Sequence, residues 1–403
     1  MANSSLISAI KSNCNGCKAC QNICPRQCIE VKINRSGEFK PYIDSQKCIN
    51  CGLCKTHCPI LDSPIKTNKI LALYSAKNEQ QEVIMKSSSG GLFSAFAEHI
   101  LNNDGIVVGA AFEKNFQVKL IIIDDLKDID RIRRSKYVRA EVGDIYVKIE
   151  KHLKDNRLVL FAGTPCQILG LKKFLKKEYS KLYTIELLCA GTPLPKVWEK
   201  YLVYQERSHK SVINSINFRD KSEGWLNFHL TIDFSDGQTY SASHNEDPYL
   251  EMFLNNLSLT EPCYSCFAKT LKVSDVCMGD FWSVGKFVSD IDDIDRGVSV
   301  IIIHSKKGQD LFDSISSKIK YSMISDTNVV LKSNPEYFCS ASKPKSRKKF
   351  INNLDKLTFD ELALKTEKRD EGIVQFIRTS IGKCKTIIKR VLKRILNRST
   401  GDT

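Results

Sequence analysis

Apolar and polar positions recur along this chain with two periods, and the switches between them mark its elements. Short runs rich in β-branched and aromatic residues at Ile70–Ser75, Ile106–Phe112, Val118–Ile123, Leu158–Phe161 and Leu182–Leu188 predict strands. Between them, Gly91–Leu101, Gly143–Leu153, Gln167–Lys177 and Lys196–Gln205 carry helical periodicity. Such alternation predicts an α/β layer built at least partly on βαβ units. Further on, Trp225–Phe234 and Gln238–Ala242 flank the Ser235-Asp236-Gly237 turn and predict a hairpin. Val298–His304 predicts a strand and Gly308–Lys318 a helix. Near the start, Ile29–Ile33 and Phe39–Ile43 around Arg35-Ser36-Gly37 predict a smaller hairpin. Near the end, Val374, Ile377, Ile381, Cys384, Ile388, Val391 and Ile395 recur at steps of three and four, the stripe of an amphipathic helix.

Composition sharpens this picture. The 403 residues are 42% hydrophobic and 27% charged, which excludes a wholly disordered chain. No apolar run approaches the ~18 residues of a membrane span. The first twelve residues lack the pattern of a secretory signal, so a cytoplasmic protein is expected. The net charge of +15 is local. Residues 343–403 hold 17 Lys or Arg against 7 Asp or Glu, so the excess is no nucleic-acid signal for the whole chain. The predicted terminal helix carries eight basic residues between Arg378 and Arg398. A basic amphipathic helix suits an anionic membrane surface, here the inner membrane face, or a partner's groove. A helix packed on its own domain is the plainer alternative. Three segments are expected: 1–65, 66–345 and 346–403.

Sixteen cysteines in a long chain without a signal point to metal or redox chemistry rather than disulfides. Nine fall between Cys14 and Cys58. Cys14, Cys17, Cys20 and Cys24 recur, shifted by 34 residues, as Cys48, Cys51, Cys54 and Cys58, each run followed by proline. This is the bacterial ferredoxin run, in which three thiolates hold one [4Fe–4S] cube and the fourth reaches the other. Cys14, Cys17, Cys20 and Cys58 are thus assigned to one cluster, and Cys48, Cys51, Cys54 and Cys24 to the second. Paired zinc sites are the alternative, but zinc ligands are usually separated by longer loops. Cys28 fits neither set and reads as a buried free thiol.

In the body, Lys86-Ser87-Ser88-Ser89-Gly90-Gly91 leads from a strand into a helix. Small residues at a helix N-terminus suit a phosphate or nucleotide cofactor; a serine-capped helix start is equally compatible. Gly163-Thr164-Pro165-Cys166 and Cys189-Ala190-Gly191-Thr192-Pro193 end two adjacent strands, placing two cysteines at one sheet edge, where ligands bind in open α/β sheets. Cys263-x2-Cys266 adds two thiols, with Cys277 competing for the fourth place. Lys136 and Tyr137 suit a cofactor phosphate or ring edge, or a solvated basic turn. Arg219, Lys221 and Trp225 suit an anionic substrate, or plain strand-end charge. The seven histidines are scattered, and no hydrolase triad or catalytic residue is evident.

These residues carry a family resemblance. Ser88-Ser89-Gly90-Gly91-Leu92-Phe93, Arg134-Ser135-Lys136-Tyr137, Gly163-Thr164-Pro165-Cys166-Gln167, Cys189-Ala190-Gly191, Phe218-Arg219-Asp220-Lys221, Cys263-Tyr264-Ser265-Cys266 and Gly279-Asp280-Phe281-Trp282 stand in order from Lys86 to Trp282. The body resembles the beta subunit of coenzyme F420 hydrogenase/dehydrogenase. With the ferredoxin head, the chain resembles the bacterial members often encoded with polysaccharide-synthesis genes. The resemblance implies FAD and a third [4Fe–4S] cluster on Cys166, Cys189, Cys263 and Cys266, with Cys277 left out. It implies a flavin site lined by Lys86, Ser88, Ser89, Gly90, Gly91, Lys136 and Tyr137, with Thr164 counted among the cofactor-binding residues. Ala190 and Leu194 stand where bacterial members usually have histidine and serine. The expected fold is a small ferredoxin-like head on a larger α/β body with a basic C-terminal helix. The expected activity is an oxidoreductase passing electrons between clusters, FAD and a two-electron carrier or small substrate, with a redox partner protein or soluble carrier. An electron-transfer adaptor is the second hypothesis, a structural zinc protein the third.

Overall fold

The structure is a computed structural model and describes residues 14–62, 67–286, 294–328 and 334–366. The head is a hairpin of β1 (Ile29–Ile33) and β2 (Phe39–Ile43), flanked by one-turn helices α1 (Ala19–Asn22) and α2 (Leu53–Thr56). Alternation along the hairpin turns Ile29, Val31 and Phe39 inward, where they pack with the head thiols in one small core.

The body is built on an eight-stranded mixed sheet. In chain order its strands are β3 (Ala72–Asn78), β4 (Ile106–Phe112), β5 (Val118–Ile123), β6 (Val159–Gly163), β7 (Leu182–Leu187), β11 (Val276–Asp280), β12 (Ser299–Ile303) and β13 (Ile319–Met323). The spatial order is β13-β3-β12-β11-β7-β6-β4-β5. Strands β11, β7, β6 and β4 are parallel. Strand β12 is antiparallel to both β11 and β3, so β3 runs with the parallel group. The carboxyl ends of β3, β11, β7, β6 and β4 therefore share one edge of the sheet.

Strands β6 and β12 are buried along their whole length, as a sheet covered on both faces requires. Leu160 and Ile185 pack under α3 (Leu92–Leu101) on one face. Val159 and Phe161 pack under α4 (Ile145–Lys154) and α5 (Pro165–Leu175) on the other. Helix α5 starts cleanly, with Pro165 in its first turn and a capping box between Thr164 and Gln167.

A second, three-stranded sheet has the order β10-β9-β8, from β8 (Ile213–Asp220), β9 (His229–Phe234) and β10 (Thr239–Ser243). It packs with α6 (Pro195–His209), α7 (Arg347–Leu354) and α8 (Phe359–Thr366) around Trp198, Tyr201, Phe350 and Phe359. Arg347 is buried, its guanidinium donating to the Leu257 and Leu259 carbonyls, so this C-terminal pair of helices packs onto the body. The apolar stripe from Val374 to Ile395 lies outside the described residues. Among those described, no helix is long and apolar enough to cross a membrane.

The predicted hairpin partner Trp225–Phe234 shortens to His229–Phe234. Gly224, at φ +99°, turns the chain, and Trp225 N–H bonds the Asp295 carbonyl instead of a ladder. Strands β8, β11 and β13 have no counterpart among the predicted elements.

Candidate redox site

The head cysteines lie in two different surroundings. Burial raises the thiols of Cys14, Cys17, Cys20 and Cys58, and these side chains also influence one another: Cys14 and Cys58 act on both Cys17 and Cys20. Cys24, Cys48, Cys51 and Cys54 line a separate cavity of about 100 Å³ at the surface. Cys28 lines it too, its sulfur 3.4 Å from that of Cys24, with its thiol pushed up to about 12 by burial and by that contact. Cys24 goes the other way: burial opposes ionisation, but hydrogen bonds from Cys28 and from the Arg26 and Gln27 backbone outweigh it. Among the described residues no three metal-binding side chains converge on the position of a single ion.

The body thiols assemble from three separate elements. Cys166 stands in the first turn of α5, after β6, with the Thr164 hydroxyl 3.3 Å from its sulfur. Cys189 follows β7. Cys263 lies in the Glu261–Ser265 turn, where the Thr192 N–H points at its sulfur at 3.4 Å and the Thr260 hydroxyl lies at 3.2 Å. Burial pushes the Cys189 thiol to about 12 and that of Cys266 to about 11, with Cys166 and Cys263 adding to both and Lys269 opposing. Cys277 lies deeper in β11, fully buried, with Glu186 and Lys272 as its stronger charged neighbours. The four expected thiols thus come together and Cys277 stands behind them.

Helix α5 links this quartet to the head. Cys166, Gly170 and Lys173 are at i, i+4 and i+7, one face of the helix. Cys17 packs on Gly170, where an added Cβ would lie 2.8 Å from the Cys17 Cβ. Lys173 Nζ holds Asp62 of the head at 2.8 Å. The strip from Ser135 to Glu141 makes a second link. Arg139 Nη2 donates to the Asn15 and Gly16 carbonyls at 3.1 and 2.9 Å, and its guanidinium lies 4.1 Å from the Phe39 ring centre. Glu141 pairs with Lys18.

The serine–glycine loop meets Arg219 rather than open solvent. Gly90 packs directly on β3 and β12; an added Cβ would meet the Ala76 carbonyl oxygen at 2.7 Å. The need for a small residue here comes from the sheet itself. Gly91, at φ +81°, turns the chain into α3. Arg219 Nη1 and Nη2 take both oxygens of Asp280, at 2.9 and 3.0 Å. The same guanidinium donates to the Tyr137 hydroxyl at 2.9 Å and the Ser88 carbonyl at 3.0 Å. Trp225 Nε1 donates to Asp280 at 2.8 Å, and the Trp225 ring stacks on that of the exposed Trp282. Burial holds the Tyr137 phenol protonated, with Arg219 opposing. Lys221 Nζ is buried against the Ile84, Ser89 and Arg296 carbonyls, and burial lowers it to about 7.

Arg219 and Lys221 are therefore neither strand-end surface charges nor free to grip an anionic substrate. Lys136 Nζ closes its own turn on the Arg131 and Arg133 carbonyls, and burial lowers it to about 7. Lys86 lies at the surface, paired with Glu82. Thr164 faces the thiols rather than this loop. Arg139 and Gly170 carry no motif that sequence spacing alone would pick out, and Asp280 stands in the Gly279–Trp282 motif without its pairing to Arg219 being legible there; only the fold gives them neighbours.

The motif loops after β3, β6, β7 and β11 all stand at the one sheet edge fixed by the parallel strands. Residues 73–145 match the family described as "Coenzyme F420 hydrogenase/dehydrogenase, beta subunit N-term", and residues 156–327 match its counterpart for the C terminus of the same protein. The chain belongs to the coenzyme F420 hydrogenase/dehydrogenase beta-subunit family. A 4Fe-4S dicluster domain matches residues 13–60 in front of it. This is an iron–sulfur oxidoreductase chain of that family.

The F subunit of F(420)H(2) dehydrogenase from Methanosarcina mazei is 22% identical over 324 residues, 76% of this chain and 83% of the relative. Coenzyme F420-dependent sulfite reductase of Methanocaldococcus jannaschii is 24% identical over 319 residues, 76% of this chain, which spans 46% of that relative. The head alone resembles the I 2 subunit of NADH-quinone oxidoreductase from Geobacter metallireducens, 36% identical over 59 residues, 13% of this chain and 45% of the relative. A chain in a xenon-derivatised F420-reducing [NiFe] hydrogenase complex from Methanosarcina barkeri aligns with a TM-score of 0.47 and 17% identity, covering 72% of this chain and 95% of that one.

Proposed function

We propose that the chain passes electrons between a flavin in the body and a redox partner at the head, through three [4Fe–4S] clusters. The observation that carries this reading is the body quartet. Four thiols from three separate elements gather at the sheet edge, and the helix that carries Cys166 packs against the dicluster head. Soft thiolates in fours suit an iron–sulfur cube, and Thr192 N–H and the Thr260 hydroxyl are placed to bond a ligating Cys263 sulfur.

FAD is assigned to the loop Lys86–Gly91 with Tyr137 beside it. Arg219 Nε is buried without a partner in the structure, leaving a donor for an acceptor atom of a bound ring. Tyr137 accepts from Arg219 and keeps its own proton to donate. Bound FAD supplies the conversion between two-electron and one-electron transfer. Asp280 fixes the guanidinium, Lys136 shapes the turn that carries Tyr137, and Thr164 caps the helix presenting Cys166.

The substrate side takes an F420-like two-electron carrier or a small molecule, with a polysaccharide-synthesis pathway as the setting. Ala190 and Leu194 leave out the histidine and serine expected there, so any proton on that side comes from other groups. Leu194 is buried against Gly37 of the head. A partner meets the head at its outer set, where Cys51 is exposed. The stretch from Val374 to Ile395 is proposed as a helix that docks on a membrane surface or partner. Anaerobic purification with iron, sulfide and flavin analysis tests the whole reading: about twelve irons and one FAD per chain are expected. Eight irons without flavin, or zinc in their place, would refute it.

A further inference from the structure

Three thiol sets can be wired in more than one order, and the contacts of α5 choose between them. Its Cys166–Gly170–Lys173 face touches the body quartet at one end and the head at the other. Four residues of helix rise only about 6 Å, so Cys17 and Cys166 are separated by a single turn of backbone. The contact at Gly170 is direct: an added Cβ would also meet the Cys17 carbonyl oxygen at 3.0 Å and the Tyr146 hydroxyl at 2.7 Å. Tyr146 is fully buried and donates to the Gln167 carbonyl at 2.8 Å, filling the space beside that turn. The outer set lies away from this helix, around a surface cavity lined only by head residues.

We infer that α5 is the electron conduit between body and head, with Gly170 as the positioning residue, and that the thiol sets work in one fixed order. That order is the Cys166 set, then the Cys17 set, then the Cys51 set, in either direction of flow. The inference rests on the reading of the body quartet as a cluster. Each step moves one electron: the cluster at the body quartet is oxidised by one and the cluster on Cys14, Cys17, Cys20 and Cys58 is reduced by one, with no bond or proton changed.

The test is low-temperature electron paramagnetic resonance of the full chain, anaerobically reduced, with iron counted in every sample. Neighbouring reduced clusters broaden each other's signals. In Cys54→Ala, about four irons should be lost while the body signal stays broadened. In Cys20→Ala, the broadening of the body signal should vanish. Gly170→Leu should keep all its iron and lose the same broadening, because the new side chain displaces Cys17. The opposite pattern, with broadening lost in Cys54→Ala and kept in Cys20→Ala, would overturn the order. Retained broadening in an iron-replete Gly170→Leu protein would overturn the role of that residue. A wild-type chain with about eight irons and no body signal would overturn the cluster reading itself, and the conduit with it.

Discussion

The two head quartets come from one repeated motif and end in opposite surroundings. Cys14, Cys17, Cys20 and Cys58 are each no more than 8% exposed, whereas Cys51 is exposed and Cys24, Cys48 and Cys54 are half-buried. The cysteine spacing is identical, so the difference comes from what each half touches. The inner set lies against α5 and the Arg139 strip; the outer set faces solvent among Ile49, Leu53, Arg26, Lys47 and Lys55. A repeat can thus supply two chemically equal sites and leave packing to give one an inward and the other an outward role.

The most severe break in that contrast is removal of one inner ligand. Cys17→Ser should abolish electron delivery from the body to any acceptor that touches only the head. Cys51→Ser should keep the inner signal and lose only the outer one. Electron paramagnetic resonance of each variant, with iron counted alongside, separates the two outcomes; loss of the inner signal in both would deny the distinction.

Next in size is the hub behind the loop. Arg219→Met leaves the carboxylate of Asp280 without its guanidinium, and breaking such a buried pair costs about 3–5 kcal/mol. Urea unfolding of the variant should show that drop in midpoint, with the head signals unchanged. A loss below about 1 kcal/mol would place the pair effectively in solvent.

A smaller effect is expected at the outer rim. Lys55→Glu combined with Lys47→Glu should slow reduction of an acidic carrier by roughly tenfold at low salt. The gap should close at high salt, where surface charges are screened. A gap independent of salt would argue for a change of shape instead.

The smallest lies in the sheet behind the body quartet. Burial raises the Glu186 carboxyl to about 7, with Lys272 opposing. A raised carboxyl binds its proton more tightly in the folded chain, so its contribution is complete below its ordinary value near 4.5 and lost as pH rises through about 7. Between about pH 5.5 and pH 8, Glu186→Gln should gain stability relative to wild type, by less than about 3 kcal/mol. A constant difference across that range would show that Glu186 does not titrate there.

Local chemistry is legible in the sequence where it lies in neighbouring residues. The ferredoxin spacing, the Gly-Thr-Pro-Cys turn and the alternation of strands and helices each depend on residues close in the chain. Strand β8 is not legible, because its run Ile213–Asp220 carries five polar or charged residues, of which Arg219 is turned inward to Tyr137 and Asp280. Strand β11 is hidden by Gly279, which is required because Leu188 would lie 2.6 Å from an added Cβ. The glycine–serine loop is legible as a place for small residues, but Gly90 fits against β3, a strand separated from it by a helix and a turn. Contacts such as Cys17 on Gly170 join residues 153 positions apart, and no local pattern reports them.

The open rim around Cys51 also sets how the chain ages in air. Oxidants reach accessible thiolates first, and the inner set is shielded by the same packing that joins it to α5. Damage should therefore run from the tip of the head inward. A partly oxidised preparation would still show its inner spectrum while failing with every partner that must touch the rim. Loss of function and loss of colour would follow different clocks.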